Sequence, residues 1–246
     1  KRLKVAQRMG KIGSWELDLL TNRLTWSDEI FRIFEIDPTQ FAASYEAFLS
    51  AIHPQDRAAV NLAYNQSLET RSSYAIDHRL RFADGRIKYV REQCESSFSD
   101  TGQALRSVGT VQDITESKLA EKTTLELNLN FVTFLEKTTD FIYFKDQEGR
   151  FRFCSQTMAD ITGHASWRDM IGKHDLDVFP KETAQIYQEG ESSIFRDGVP
   201  LLNKVDPFYD RSNNKGWFST NKWPLFDRDG KVVGLFGISR DITAQK

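Results

Sequence analysis

At 246 residues the chain suits one large domain or two small ones, and 39% hydrophobic against 28% charged residues implies a soluble, cored protein. Lys and Arg number 33 against 35 Asp and Glu, and a net charge of -2 makes no electrostatic case for nucleic acid or an anionic membrane. The longest uncharged run, Ala58 to Leu68, has 11 residues, too few to span a bilayer; no secretory signal opens the chain; and Cys94 and Cys154 lack CxxC or Cys/His spacing, which argues against a disulfide framework or zinc site and for a reducing compartment.

Residues 1–11 predict a helix, with Leu3, Val5, Ala6 and Met9 on or near one face. Ser14 to Leu19 alternate at period 2, as a half-buried strand does, and Arg23 to Trp26 return after a Thr21-Asn22 turn. Ser27 is placed to cap a helix that carries Asp28 and Glu29 in its first turn and buries Ile30, Phe31, Ile33 and Phe34, and Pro38 ends that segment. Ser44 caps a second short helix with Phe48, Leu49 and Ile52. Pro54 stands in the first turn of a third helix, opened by His53 and running to Thr70. Strands come next at Tyr74 to Phe82, Ile87 to Ser97 and Ala104 to Gln112, the first two joined by Ala83-Asp84-Gly85-Arg86. Strands around a helical insert imply an antiparallel sheet with helices on one face, an α+β fold.

From Glu116 to Lys137 the pattern is helical. Leu125, Leu129 and Val132, and again Leu127, Phe131 and Phe134, are spaced i, i+4, i+7. Such a wide apolar face packs on the following domain, on a partner subunit, or on both. The plan then repeats. Phe141 to Lys145 and Arg150 to Cys154 are strands, Gln156 to Thr162 is a helix closed by Gly163, and a longer helix runs from Lys181 to Phe195. Strands at Val205 to Asp210, Trp217 to Phe226 and Val232 to Ser239 complete the second half. Each half ends on a similar stretch: Gly109-Thr110-Val111-Gln112-Asp113-Ile114-Thr115, and 128 positions on, Gly237-Ile238-Ser239-Arg240-Asp241-Ile242-Thr243. Both read as a strand that stops at Asp-Ile-Thr, where a helix starts. The chain begins inside an element and stops at the start of another, as a piece of a longer protein would.

At this point the chain resembles two PAS domains in tandem, a sensory domain of bacterial signalling proteins. The resemblance rests on Gly13-Ser14-Trp15-Glu16-Leu17-Asp18, Leu24-Thr25-Trp26-Ser27-Asp28-Glu29, His53-Pro54-Gln55-Asp56-Arg57 and His78-Arg79-Leu80 before Asp84-Gly85. In the second half it rests on Gly172-Lys173-His174-Asp175-Leu176-Asp177-Val178-Phe179-Pro180, and on Asp229-Gly230-Lys231 before the closing strand. Tyr89 stands where the family usually has Trp, and Cys154-Ser155 where many members have an apolar residue and a capping Asn. The resemblance implies two five-stranded antiparallel sheets, each with helices on one face, divided as an N-terminal helix (1–11), a first domain (12–115), a connecting helix (116–137), a second domain (138–243) and the start of an output linker (244–246).

No GxGxxG, Walker A, GxSxG or HExxH pattern is present, so no catalytic or metal residues are assigned and the fragment is not expected to be an enzyme. The acids of His174-Asp175-Leu176-Asp177 are expected in turn and capping work rather than on a metal. His78 shares a strand face with Ile76 and Leu80, as a core or interface histidine or as a ligand contact. The two long helices contain no His, and no Asn-Cys-Arg-Phe-Leu-Gln motif occurs, so haem and a covalent photoreactive flavin are not expected. A noncovalent flavin or another small organic ligand stays open.

The resemblance implies a pocket between sheet and helices. In the second domain its polar candidates are Tyr143, Ser155, Asn203, Ser219 and Asn221, with Trp223 as a wall; Ser219, Asn221 and Trp223 share one face, which alternation alone does not orient. Signal transmission is expected at Asp113, Ile114 and Thr115 and at Asp241, Ile242 and Thr243. Homodimer contacts are expected on the connecting helix at Leu125, Leu127, Leu129, Phe131 and Phe134. The region is therefore expected to be a cytoplasmic sensory and dimerisation module, in a protein that is itself free or membrane-anchored upstream. Its C-terminal output would be a cyclic-di-GMP synthase or phosphodiesterase, or a histidine kinase. A ligand-free interaction scaffold is the alternative. Neither nucleic acid nor membrane contact is expected of this region.

Overall fold

The computed structural model describes residues 2–39, 43–209 and 215–245. The chain forms two compact units, residues 1–124 and 125–246. No helix among the described residues is long and apolar enough to cross a membrane.

In the first unit, helix α1 (Arg2–Met9) leads into strands β1 (Ile12–Asp18) and β2 (Arg23–Trp26). Helices α2 (Asp28–Phe34), α3 (Tyr45–Ala51) and α4 (Arg57–Thr70) come next, then β3 (Tyr74–Arg81), β4 (Ile87–Phe98) and β5 (Ala104–Asp113). The sheet order is β2-β1-β5-β4-β3, antiparallel throughout. Alternation selects the buried face: Trp15 and Leu17 of β1, Val111 of β5, Val90 and Cys94 of β4, and Leu80 of β3 pack with Ile30, Ile33, Phe34, Ile52 and Val60. Each such side chain contributes roughly 1.5–3 kcal/mol through its burial.

Local chemistry mostly follows the sequence. Asn22 adopts the left-handed conformation (φ 56°) in the β1–β2 turn. The Ser44 side chain caps α3 by accepting from the Ala47 N–H. Two expectations give way to tertiary contacts. Ser27 sits at the start of α2 in extended conformation, but its Oγ accepts the Ser14 N–H at 2.9 Å instead of capping the helix. Pro54 lies ahead of α4, because the Asp56 N–H returns to the His53 carbonyl and the helix starts only at Arg57.

Asp56 is held by Arg79 of β3, whose Nε and Nη2 reach its two oxygens at 2.9 and 2.6 Å while the Arg79 backbone N–H donates at 2.9 Å. These bonds, from the guanidinium first, hold the Asp56 carboxyl down at about 2. A folded-state value below the unfolded one means that the pair stabilises above about pH 4 and that this stability is lost as the pH falls toward 2. Asp56→Asn is expected to lower the stability of this unit by about 1–2 kcal/mol at pH 7 and by much less near pH 2. Denaturant unfolding at the two pH values checks this; an equal loss at both would show that the contact acts through shape rather than charge.

The second unit repeats the architecture. Strands β6 (Phe141–Asp146) and β7 (Phe151–Cys154) precede α6 (Gln156–Thr162), a 3-10 turn (Trp167–Met170), α7 (Asp175–Val178) and α8 (Lys181–Asp197). Strands β8 (Leu201–Tyr209), β9 (Lys215–Phe226) and β10 (Val232–Asp241) close the sheet in the order β7-β6-β10-β9-β8. Strand β8 starts four residues earlier than its alternation suggests; Asp210, its expected end, lies outside the described residues, as do Lys246 and the side chain of Leu3. Gly163 ends α6 and Gly198 ends α8, both left-handed.

Helix α5 (Thr115–Lys137) follows β5 in the chain and leads to β6. Lys118 near its start pairs with Asp77 of the first unit. Near its end Leu135 is fully buried in the second unit, and Phe131 meets Phe144 and Phe153 edge-on. The apolar face therefore divides: Phe131, Val132 and Leu135 pack inward, whereas Leu125, Leu127, Leu129 and Phe134 are exposed.

Candidate functional site

The second sheet turns Phe141, Tyr143 and Lys145 of β6, Ser239 of β10, and Phe218, Thr220 and Lys222 of β9 toward the helices. With Phe179, Tyr187, Gly190 and Glu191 from the helical side and Lys204, Asp206 and Phe208 from β8, they line a cavity of about 430 Å³. That size falls within the usual range of small-molecule sites.

Four charged side chains close its inner end, each at most 4% exposed: Lys145, Asp175, Glu191 and Lys222. Lys145 Nζ donates to Asp175 Oδ2 at 2.5 Å and to Glu191 Oε1 and Oε2 at 2.9 and 3.0 Å. Lys222 Nζ donates to Glu191 Oε1 at 2.5 Å. The ammonium groups also lie near aromatic rings, Lys145 5.0 Å from the Phe151 centroid and Lys222 5.5 Å from those of Tyr143 and Tyr187. Burial pushes the Asp175 carboxyl up, against the pull of Lys145. Burial also opposes the Glu191 charge, but its two lysines together hold that carboxyl below the usual range. Burial first, and then Glu191, raises the Tyr143 phenol.

Of the residues anticipated from the sequence, Tyr143 lines this cavity. Its ring crosses Gly237, where a Cβ would meet it at 2.3 Å. Ser155 is fully buried beneath α6, its Oγ accepting from the N–H groups of Met158 and Ile142. Asn203 is exposed with φ 54°, and its N–H donates to Asn221 Oδ1. Ser219, Asn221 and Trp223 occupy the β9 positions that alternate with the lining residues, and Trp223 stacks on Phe236 outside the cavity. In the helix-opening stretch, Asp177 accepts the His174 N–H, the capping work expected there, while Asp175 is drawn instead onto Lys145.

Sequence reasoning missed Lys145, Asp175, Glu191 and Lys222. A signal existed: Ala184, Tyr187, Glu191 and Ile194 form a helical stripe, so Glu191 stands among apolar positions. Lys145 continues the alternation of Phe141 and Tyr143, and Lys222 that of Phe218 and Thr220.

The first unit differs. The space between its sheet and helices is only about 30 Å³, filled by Trp15, Trp26, Phe34, Phe48, Tyr64 and Tyr74. His78 is buried below Phe48, and its Nε2 lies 3.3 Å from Glu92 Oε2, close enough for an ion pair but off the axis of a hydrogen bond. Glu92 Oε1 accepts from Tyr74. His78 does not line the cavity. No cluster of three or more His, Cys, Asp or Glu among the described residues is arranged to hold a metal.

Both closing strands end alike. Asp113 Oδ1 accepts the Thr115 N–H at 3.0 Å, and Asp241 Oδ1 the Thr243 N–H at 2.8 Å. The carbonyl of Tyr89 accepts from Ile114, as that of Trp217 accepts from Ile242. The N–H of each aromatic residue donates to the threonine hydroxyl, Tyr89 to Thr115 and Trp217 to Thr243. Two neighbouring strands thus hold the start of each outgoing segment.

A family model described as PAS fold matches residues 23–111, and a second, also described as PAS fold, matches residues 135–246. The chain is 28% identical over 118 residues to the probable diguanylate cyclase DgcE of Escherichia coli K12. It is 30% identical over 114 residues to the aerobic respiration control sensor protein ArcB of the same strain. These matches cover 48% and 46% of this chain but only 10% and 14% of those relatives, so the chain corresponds to a small part of their length. A solved sensory box histidine kinase/response regulator from Burkholderia thailandensis aligns with a TM-score of 0.45 at 22% identity, over 53% of this chain and 98% of that one.

Proposed function

Because the chain belongs to the PAS family and carries two PAS domains in tandem, we propose that it is the sensory and dimerisation region of a bacterial signalling protein, with the second domain as the ligand receiver. The observation that carries this reading is the cavity of about 430 Å³ in the second domain, set against about 30 Å³ in the first. An occupant would touch β6, β9 and β10 together. Ser239, in the cavity wall, lies two residues before Asp241, and β9 and β10 both bond the segment that leaves the domain. A ligand that favours one arrangement of these strands therefore biases the outgoing segment, which is allostery once two states differ in ligand affinity. The output we assign is a diguanylate cyclase or phosphodiesterase, or a histidine kinase; a probable diguanylate cyclase and histidine kinases are among the relatives that share these segments. We place the region in the cytoplasm.

Gly190 supplies the test. It sits inside α8, where a Cβ would meet only Lys204 Nζ at 3.6 Å, and it faces the cavity. Gly190→Leu is expected to fill the space while raising helix stability by about 0.5–1 kcal/mol. In the full-length protein it should abolish the response of the output to its signal and leave the basal output in place. An unchanged response would overturn the ligand-receiver reading and leave the ligand-free scaffold, which the filled first domain favours as a second reading.

The exposed Leu125, Leu127, Leu129 and Phe134 of α5 are proposed as the homodimer contact. Leu125→Asp with Leu129→Asp is expected to weaken self-association at least tenfold without disturbing the inward-packed Phe131 and Leu135. Sedimentation equilibrium checks this, and an unaltered monomer–dimer balance refutes it.

A further inference from the structure

The walls of the second cavity also bear on the charge of its occupant. Two ammonium groups face two carboxylates at its inner end, and at its rim Lys204 pairs with Asp206 at 3.0 Å. Every charge lining the cavity already has an opposite partner. A charged occupant would bring an uncompensated ion against a buried cluster whose charges are already paired, which burial disfavours. Hydrogen-bonding capacity nonetheless remains. The three protons of Lys145 are matched by Asp175 Oδ2 and the two oxygens of Glu191. Lys222 Nζ, among the described residues, donates only to Glu191 Oε1, so it keeps donors for an acceptor brought by the occupant. One side of the remaining wall is aromatic: Phe208 and Phe218 stack at 3.8 Å and 5°, and Phe141 lies 4.6 Å from Phe218, while Met158, Ile161, Val178 and Leu201 supply apolar surface elsewhere. Gly190 keeps the opposite wall open, although a glycine inside a helix is destabilising.

We propose that this cavity binds an uncharged, planar ring compound that presents a carbonyl or similar acceptor to Lys222 Nζ. The inference rests on the reading of the second domain as a ligand receiver. The ring is held between the phenylalanine faces and the helix, and the acceptor orients it by the spare donors of Lys222 Nζ.

Calorimetric titration of the 246-residue chain with 2-naphthamide and 2-naphthoate tests the charge, since the probes share a ring system and differ in ionisation. Naphthamide is expected to bind saturably and at least tenfold more tightly than naphthoate. Lys222→Met alone leaves Glu191 underpaired, so the variant measured is Lys222→Met with Glu191→Gln, which keeps the cluster neutral. It is expected to bind naphthamide at least fivefold more weakly, whereas Ser219→Ala, on the other face of the same strand, leaves binding unchanged. Naphthoate binding as tightly as naphthamide would overturn the uncharged class while leaving the cavity a ligand site. Full naphthamide affinity in the double variant would overturn the role of Lys222. Binding of neither probe would overturn the inference, and the Gly190→Leu response, measured separately, shows whether the receiver reading fails with it.

Discussion

Glu191→Leu is expected to destabilise the second domain by about 3–5 kcal/mol, the usual cost of breaking a buried ion cluster from one side. Glu191 accepts from both lysines, so its loss strands Lys222 without an acceptor and leaves Lys145 with Asp175 alone, a net positive charge on residues at most 4% exposed. Against the roughly 5–15 kcal/mol that holds an ordinary domain together, this is a large fraction. It corresponds to a fall in melting temperature of roughly 10–25 °C for a unit of this size. The cost lies in the unpaired charges rather than in lost attraction. Replacing the whole cluster, Glu191→Leu with Lys145→Met, Lys222→Met and Asp175→Asn, is therefore expected to recover most of the stability. Hydrogen exchange over β6, β9 and α8 together with thermal unfolding would measure both. If Glu191→Leu alone costs under about 1 kcal/mol, the lysines find water through the cavity and the cluster is not a closed one.

Gly109→Ala and Gly237→Ala are the second pair, each expected to cost about 2–3 kcal/mol by overpacking. These glycines open the repeated closing stretch, and the reason is steric. An aromatic side chain of the first strand of each sheet lies across them: Trp15 over Gly109, where a Cβ would meet its ring at 2.4 Å, and Tyr143 over Gly237, at 2.3 Å. The two sites differ in what else is close. At Gly109 the Gln93 backbone carbonyl also stands 2.5 Å away, whereas the three atoms nearest at Gly237 all belong to Tyr143. Tyr143→Leu should therefore restore most of the stability lost in Gly237→Ala, while Trp15→Leu should not rescue Gly109→Ala. Double-mutant cycles read the coupling. Equal rescue at both positions would show that the sheet backbone yields more easily than a paired strand is expected to.

The number of strands and their succession along the chain come from features that act over a few residues. Period-2 alternation in β1 and β3, the turns at Asp84-Gly85 and Asp229-Gly230, and the helix stops at Gly163 and Gly198 are all local chemistry, and each was readable from the chain. The repeated Asp-Ile-Thr was equally readable as a strand stop. That Tyr89 and Trp217 hold it from the neighbouring strand was not, because a ladder partner is chosen by register.

The same boundary runs through the candidate site. Alternation sorts β9 into two faces, Ser219-Asn221-Trp223 and Phe218-Thr220-Lys222, but only the packing of α8 against the sheet decides which is inward. Composition favours the set richer in uncharged polar groups, and the structure buries the other, lysine included. A lysine on a strand normally reads as a solvent mark. Here Glu191, 31 residues earlier, neutralises Lys222, and Lys145, 77 residues earlier, shares that carboxylate, which no local pattern encodes. By itself, then, the amino-acid sequence determined the α+β plan, its duplication and the bounds of most strands, though not those of β8, because periodicity, turns and caps act between near neighbours. Only the tertiary structure decided that one domain is filled and the other open, and which charges line the opening, because cavity volume and buried ion pairs arise from residues distant in the chain meeting across sheet and helix.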